Sequence, residues 1–191
     1  MLADLHWGKA EIFQQAGIPV SSATLSEDLA RIGQLVRTYE VERVLLLGDL
    51  IHGKTGLTGA LEEEVEAWRR SVKARLVLVA GNHDRHVAAL PRSWDIERVG
   101  ESFAEGPFHF AHHPEAREDL YTWCGHLHPT VQLGRRLDRM RLPCFWLQPR
   151  CGVLPSFGSF TGGMTIQAQK ADKVFAIVGD AVLPLHEETR H

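Results

Sequence analysis

Five short clusters of histidine, aspartate and asparagine punctuate this chain, and four of them follow apolar, strand-like runs. They are DLH at 4–6, GD at 48–49, GNHD at 81–84, HH at 112–113 and GHLH at 125–128. An open α/β sheet gathers its ligands at the carboxyl ends of its strands. A fold that serves these clusters must therefore bring several strand ends to one place, although the clusters lie far apart in sequence. Any one of them alone is weak, because a DxH triplet arises often by chance. Together, in this order, they describe a site for two divalent ions.

The periodicity between the clusters agrees. Residues 25–39 predict an amphipathic helix with Leu25, Leu29, Ile32, Val36 and Tyr39 inward, opened by a Thr24/Glu27 capping box. Residues 61–73 predict a second helix with Leu61, Val65, Trp68 and Val72 inward, and 11–16 a short one. The runs at 43–47 and 76–80 are continuously apolar, the pattern of buried parallel strands. After about residue 96 short strands dominate, at 107–112, 121–125, 130–134, 141–147, 152–157 and 174–179.

The residue types explain the chemistry. Asp4, His6, Asp49 and His128 can hold one ion; Asp49, Asn82, His112 and His126 can hold the other. Asp49 would bridge them, since one carboxylate offers two oxygens to ions roughly 3.5–4 Å apart. His112 is preferred to His113 as the ligand. Two ions and two aspartates leave net positive charge, which suits a phosphate, and a water bridging the ions would become the nucleophile. His83 is expected to protonate the leaving oxygen or stabilise charge on the phosphate, and Asp84 to hold its ring. Gly48, Gly81 and Gly125 precede turns where the backbone must bend tightly. His52, Arg85, Arg135 and Arg136 are candidate substrate contacts, with a purely structural role for His52 equally open. The bland alternative for each is a satisfied polar group in a turn; for Asp49, Asn82, His83 and His126 the mutual support of the clusters argues against it.

Composition bounds the rest. With 191 residues, 24% charged and 44% hydrophobic, the chain reads as one globular domain, 1–185, with a polar tail at 186–191. No apolar run approaches the roughly 18 residues of a membrane span, and no signal peptide is visible. The three cysteines, Cys124, Cys144 and Cys151, lack paired metal spacing and suggest reduced thiols and a cytoplasmic protein. A net charge of −3 gives no bulk basic character. Local basic clusters exist at Arg135, Arg136, Arg139 and Arg141 and at Arg69, Arg70, Lys73 and Arg75; either could meet a nucleic-acid backbone or be solvated surface. Phe157 and Phe160 could stack on a base, with a core role favoured.

The five clusters resemble the calcineurin-like metallophosphoesterase superfamily. Beyond the metal motifs, ADLHWGKAEIFQQAGIPV, LVLVAGNHDR, GHLHPTVQL, RLPCFWL and VLPSFGSFTGG are similar to the ligase-associated DNA damage response endonucleases, the PdeM-type phosphoesterases of bacteria. The resemblance implies an α/β fold, a four-layer α/β/β/α sandwich with two facing sheets. It implies a metal-dependent phosphodiesterase or DNA endonuclease with two divalent ions, manganese before iron or zinc, and association with a DNA ligase and helicase repair module. By motif, Asp4, His6, Asp49, Asn82, His112, His126 and His128 are its ligands and His83 its catalytic histidine. In that superfamily an apolar strand leads into the DxH segment, whereas here Met1, Leu2 and Ala3 precede Asp4. The expectation is a truncated first central strand, with Asp4 and His6 on an unanchored terminus. Two other readings remain open at this point: a nucleotide or small-molecule phosphoesterase using the same site, and a non-catalytic scaffold of a repair complex.

Overall fold

The two continuous apolar runs form the strands expected of them. β1 (Arg43–Leu47) and β2 (Arg75–Val79) pair in parallel, and β3 (Ile96–Arg98) adds to β2. The structure is a computed structural model that describes residues 1–191 apart from 22, 88, 135–138 and 186–191. Strand geometry sends alternate side chains to opposite faces. Val44, Leu46, Leu76 and Leu78 pack under α2 (Thr24–Thr38) and α3 (Gly59–Ser71), together with Leu25, Leu29, Ile32, Leu61 and Val65. Leu45, Leu47, Val77 and Val79 turn the other way, against Phe110, Leu154 and the partly buried Phe103, Trp123 and Phe145 of a second sheet. Both faces are apolar because both are covered, which is why these runs do not alternate.

That second sheet carries β4 (Ser102–Glu105), β5 (Phe108–Ala111), β6 (Tyr121–Cys124), β7 (Pro129–Leu133), β8 (Met140–Leu147), β9 (Cys151–Val153) and β10 (Met164–Thr165), in the order β10-β7-β8-β9-β6-β5-β4. The hairpin of β11 (Lys173–Val178) and β12 (Ala181–Leu185) joins through β8. α1 (Lys9–Gln15) follows the first cluster. Helices, first sheet and second sheet thus stack as the layered α/β sandwich. Cys124, Cys144 and Cys151 are free and buried.

Three local expectations are corrected. Thr24 lies inside α2 rather than capping it: the cap is Ala23, with no side-chain cap hydrogen bond. Tyr39 ends that helix and is 69% exposed, so the inward stripe stops at Val36. The strand expected over 152–157 leaves the sheet after Val153, where Pro155 has no N–H to donate. Strands β3, β4, β10 and β12 were not expected. They are short or largely exposed, so they carry little apolar periodicity.

The expected loose terminus is also corrected. Residues 2–7 run parallel to 45–52, with bridges Leu2–Leu46 and Trp7–Ile51. Asp4 N–H donates to Gly48 O at 3.1 Å and His6 N–H to Asp49 O at 2.9 Å. On the other flank Phe157 N–H donates to Ala3 O at 2.9 Å, and Ser156 Oγ to Asp4 O at 2.7 Å. The segment is held from both sides, and Ala3, Asp4 and Leu5 are buried.

Candidate metal centre

The candidate ligand turns share an unusual backbone. Among the described residues seven non-glycine positions have positive φ, and five of them are Asp4, His6, Asp49, His126 and His128. Such a conformation costs about 1–3 kcal/mol per residue and persists only where the surroundings enforce it. In DLH and in HLH the two outer residues take this conformation while the leucine between turns to the core. Leu5 packs with the helices, and Leu127 packs on Cys124, Cys151 and Val153.

The glycines serve mainly to make room. Gly48 does have φ of +84°, as a tight bend requires, and a Cβ there would strike the His112 ring. Gly81 and Gly125 need no special φ. A Cβ on Gly81 would collide with the carboxylate and backbone nitrogen of Asp49, and one on Gly125 with the Asp4 carboxylate and Ala3. The expected reason, a tight bend, therefore holds for Gly48, while close approach explains the other two.

The donor atoms fall into two groups. In the first, His128 Nε2 lies 3.3 Å from Asp4 Oδ1 and 3.4 Å from His6 Nε2, and His6 Nε2 lies 3.9 Å from Asp49 Oδ2. In the second, His112 Nε2 lies 3.0 Å from Asn82 Oδ1, 3.1 Å from His126 Nδ1 and 3.4 Å from Asp49 Oδ2. Asp49 Oδ2 belongs to both. These spacings suit donors arranged around a cation with bonds of about 2.0–2.2 Å.

The protein orients these donors through their far sides. His112 Nδ1 donates to Leu47 O at 3.0 Å, and His128 Nδ1 to Gly162 O at 3.1 Å. Each ring is left with Nε2 facing inward, the arrangement of metal-binding histidines. Asp4 Oδ1 is buried and accepts no hydrogen bond, a costly state that a cation would relieve. The residues therefore fit two divalent ions. Without an ion, protons compensate. Burial disfavours charge on His128 and His112, yet the facing carboxylates of Asp4 and Asp49 raise both pKa values. Burial likewise opposes ionisation of Asp49, yet the hydrogen bond and charge of His112 bring its pKa down to about 2. Burial lowers His6 to about 3, with nearby histidines assisting, and His52 to about 4.

His83 faces the same centre. Its Nε2 lies 3.9 Å from Asp49 Oδ2, and its N–H donates to Asp49 Oδ1 at 3.0 Å. The support of its ring differs from expectation. Nδ1 donates to His52 O at 2.6 Å, and the His52 ring stacks on it at 4.8 Å. Asp84 instead accepts from Ile51 N–H at 3.0 Å and Gly81 N–H at 2.9 Å. A buried carboxylate thus ties the GNHD turn to the GD turn, and burial raises its pKa. His52 also places Nδ1 3.1 Å from His6 Nδ1.

Other candidates sit further out. Arg85 is paired with Glu101 at 2.8 Å on the surface. Arg135 and Arg136 lie outside the described residues. In the second basic cluster Arg69 binds Trp94 O and Asp95, Arg70 binds Glu66, and Arg75 binds Glu97, which is structural ion pairing. Phe157 packs against the helical core, and Phe160 against Phe13. His113, passed over for His112, has its ring 4.1 Å from that of His126, and with His112 and His126 it forms a possible ligand group. The HH pair was the signal for it.

A family model described as calcineurin-like phosphoesterase matches residues 1–146. The crystal structure of Pseudomonas putida nuclease MPE is similar, with a TM-score of 0.82 and 35% identity over 96% of this chain and 85% of that chain. Yfce, a phosphoesterase from E. coli, aligns with a TM-score of 0.42 and 12% identity over 95% of this chain and 88% of that chain, a likeness too slight to build on. No curated protein matches.

Proposed function

The chain belongs to the calcineurin-like phosphoesterase family, and from that premise we propose that it is a phosphodiesterase that cuts DNA. That it is a metal-dependent phosphoesterase follows from the family and the donor groups. The finer reading draws on the likeness to a nuclease of Pseudomonas putida and on the segments similar to repair endonucleases. Its setting would be DNA repair, beside a ligase and a helicase. Manganese is the metal that the resemblance to the repair endonucleases implies, and the imidazole donors are equally compatible with iron or zinc.

One observation carries the proposal: Asp49 Oδ2 is shared by both donor groups, 3.9 Å from His6 Nε2 and 3.4 Å from His112 Nε2. Two bound cations would supply Lewis acidity and a water acidified to a nucleophile. Asp4, His6, Asp49 and His128 would hold one; Asp49, Asn82, His112 and His126 the other. His83 does the proton work. With Nδ1–H held by His52 O, a second proton on Nε2 faces the reacting phosphate and passes to the leaving oxygen. The ring ends neutral, still held by the same carbonyl. Asp84 fixes the turn that carries Asn82 and His83.

The test is covalently closed circular DNA incubated with the protein and Mn²⁺. Nicked circles are expected. Turnover of bis-p-nitrophenyl phosphate with intact circles would replace DNA by a nucleotide or small-molecule ester as substrate.

A further inference from the structure

We propose that the groove beside His128 binds a second phosphate of a nucleic-acid strand, adjacent to the one being cut, with Arg141 as its ligand. The inference rests on the phosphodiesterase reading. The groove encloses about 290 Å³ and is lined by His128, Arg31, Arg141, Ser156 and Phe157 among others. It therefore opens directly from a residue of the metal centre. Its volume falls near the lower end for ligand pockets, about 300 Å³. It suits a phosphate with its sugar better than an enclosed base.

The placement of Arg141 is built in. Two consecutive glycine peptides connect it to the centre: Gly162 O accepts from His128 Nδ1 at 3.1 Å, and Gly163 O accepts from Arg141 Nη1 at 3.4 Å. Met164 N–H closes the same segment onto His128 O at 3.0 Å. A Cβ at Gly163 would collide with the Thr130 side chain and approach His128 O, so the segment must pass this close as glycine. The guanidinium is thereby tied to the glycine segment that also holds His128, and both side chains line the groove.

The two arginines of the groove are used differently. Arg31 Nη1 is engaged by Asp28 at 3.1 Å, Phe157 O at 3.1 Å and Ser159 Oγ at 3.4 Å, and its guanidinium lies 4.2 Å from the Phe157 ring centre. It braces the 157–159 loop, with its charge met by Asp28. Arg141 is exposed and spends one long bond on a backbone oxygen; among the described residues it has no carboxylate partner. Three hydroxyls of the groove are already spent as donors, Ser156 Oγ to Asp4 O, Ser159 Oγ to Asp28 Oδ1 and Thr161 Oγ1 to Gly158 O. A planar guanidinium fork matches two phosphate oxygens at once. In a chain of net charge −3 such a local cation, beside a centre that attracts phosphate, selects a substrate with two phosphates in succession.

The test compares a dinucleoside monophosphate, with one internucleotide phosphate, and a trinucleoside diphosphate, with two, in the Mn²⁺-loaded protein. Wild type is expected to favour the second in kcat/KM, chiefly through KM. Arg141→Ala should reduce that preference about tenfold, and Arg141→Lys, which keeps charge but loses the fork, should reduce it less. On a longer single strand Arg141→Ala should also flatten the dependence of log kcat/KM on log salt by about 0.7, as for one lost phosphate contact. Cleavage with the same preference and salt slope in wild type and Arg141→Ala would overturn this inference alone. If wild type turns over bis-p-nitrophenyl phosphate but cuts neither oligonucleotide, nor the longer strand, nor closed circles, the DNA reading falls and takes this inference with it.

Discussion

His83 touches the centre from outside both donor groups, so its loss should spare the ions. His83→Ala is expected to lower turnover about 10²–10⁴-fold while metal content, measured by elemental analysis, stays that of wild type. A variant depleted of metal would show that the ring is a ligand. Protonation gives a second prediction at this scale. The raised pKa values of His112 and His128 mean that protons occupy the ligand positions at low pH and must leave before a cation binds. Affinity for Mn²⁺ should therefore rise with pH through those values and level off above them. Calorimetry in buffers of different ionisation enthalpy should show protons released on binding. An affinity that does not change between about pH 6 and pH 8, a window around the reference histidine value, would contradict it. That these residues would converge was legible because their histidines and aspartates cluster beside strand-like runs, and an open α/β sheet gathers such groups at its strand ends. The partner of the His83 ring was not legible, because a backbone carbonyl leaves no trace in residue identity.

At the scale of elements, the helices make a paired test. α3 begins at Thr58, whose Oγ1 accepts from Leu61 N–H at 3.3 Å. Thr58→Ala should cost about 1 kcal/mol in denaturant unfolding. Thr24, despite its capping-box spelling, makes no cap, and Thr24→Ala should stay within about 0.5 kcal/mol. Equal losses would mean that Thr24 caps in solution. The S/T-x-x-E pattern misled because Glu27 N–H is already taken by Ala23 O at 3.0 Å, placing the helix start one residue earlier. Strands at the centre of the first sheet were readable because burial on both faces leaves no polar residues in them. β12 was not, since it is held by backbone bonds to β11 and is largely exposed.

Across the whole molecule, the centre joins segments from both sheets: 4–6 and 49 beside β1, 82 after β2, 112 after β5, and 126–128 between β6 and β7. Ions that bind only the folded chain stabilise it by mass action, about 2.7 kcal/mol at one hundred times Kd. Stripping metal with a chelator should lower Tm, and Mn²⁺ should restore it. Identical melting with and without metal would mean that these segments do not share ions.

Donor chemistry and burial periodicity are local properties, so the order of residues alone was enough to mark those that could bind metal, the two buried parallel strands and the helices that cover them. It took the packed fold to clamp residues 2–7 between 45–52 and 156–158, to stand Gly81 and Gly125 where a Cβ would displace the carboxylate of Asp49 or Asp4, and to bring Arg141 into the groove that His128 lines. These are distances between parts of the chain far apart in sequence. They are set by how two sheets pack, which no local pattern encodes.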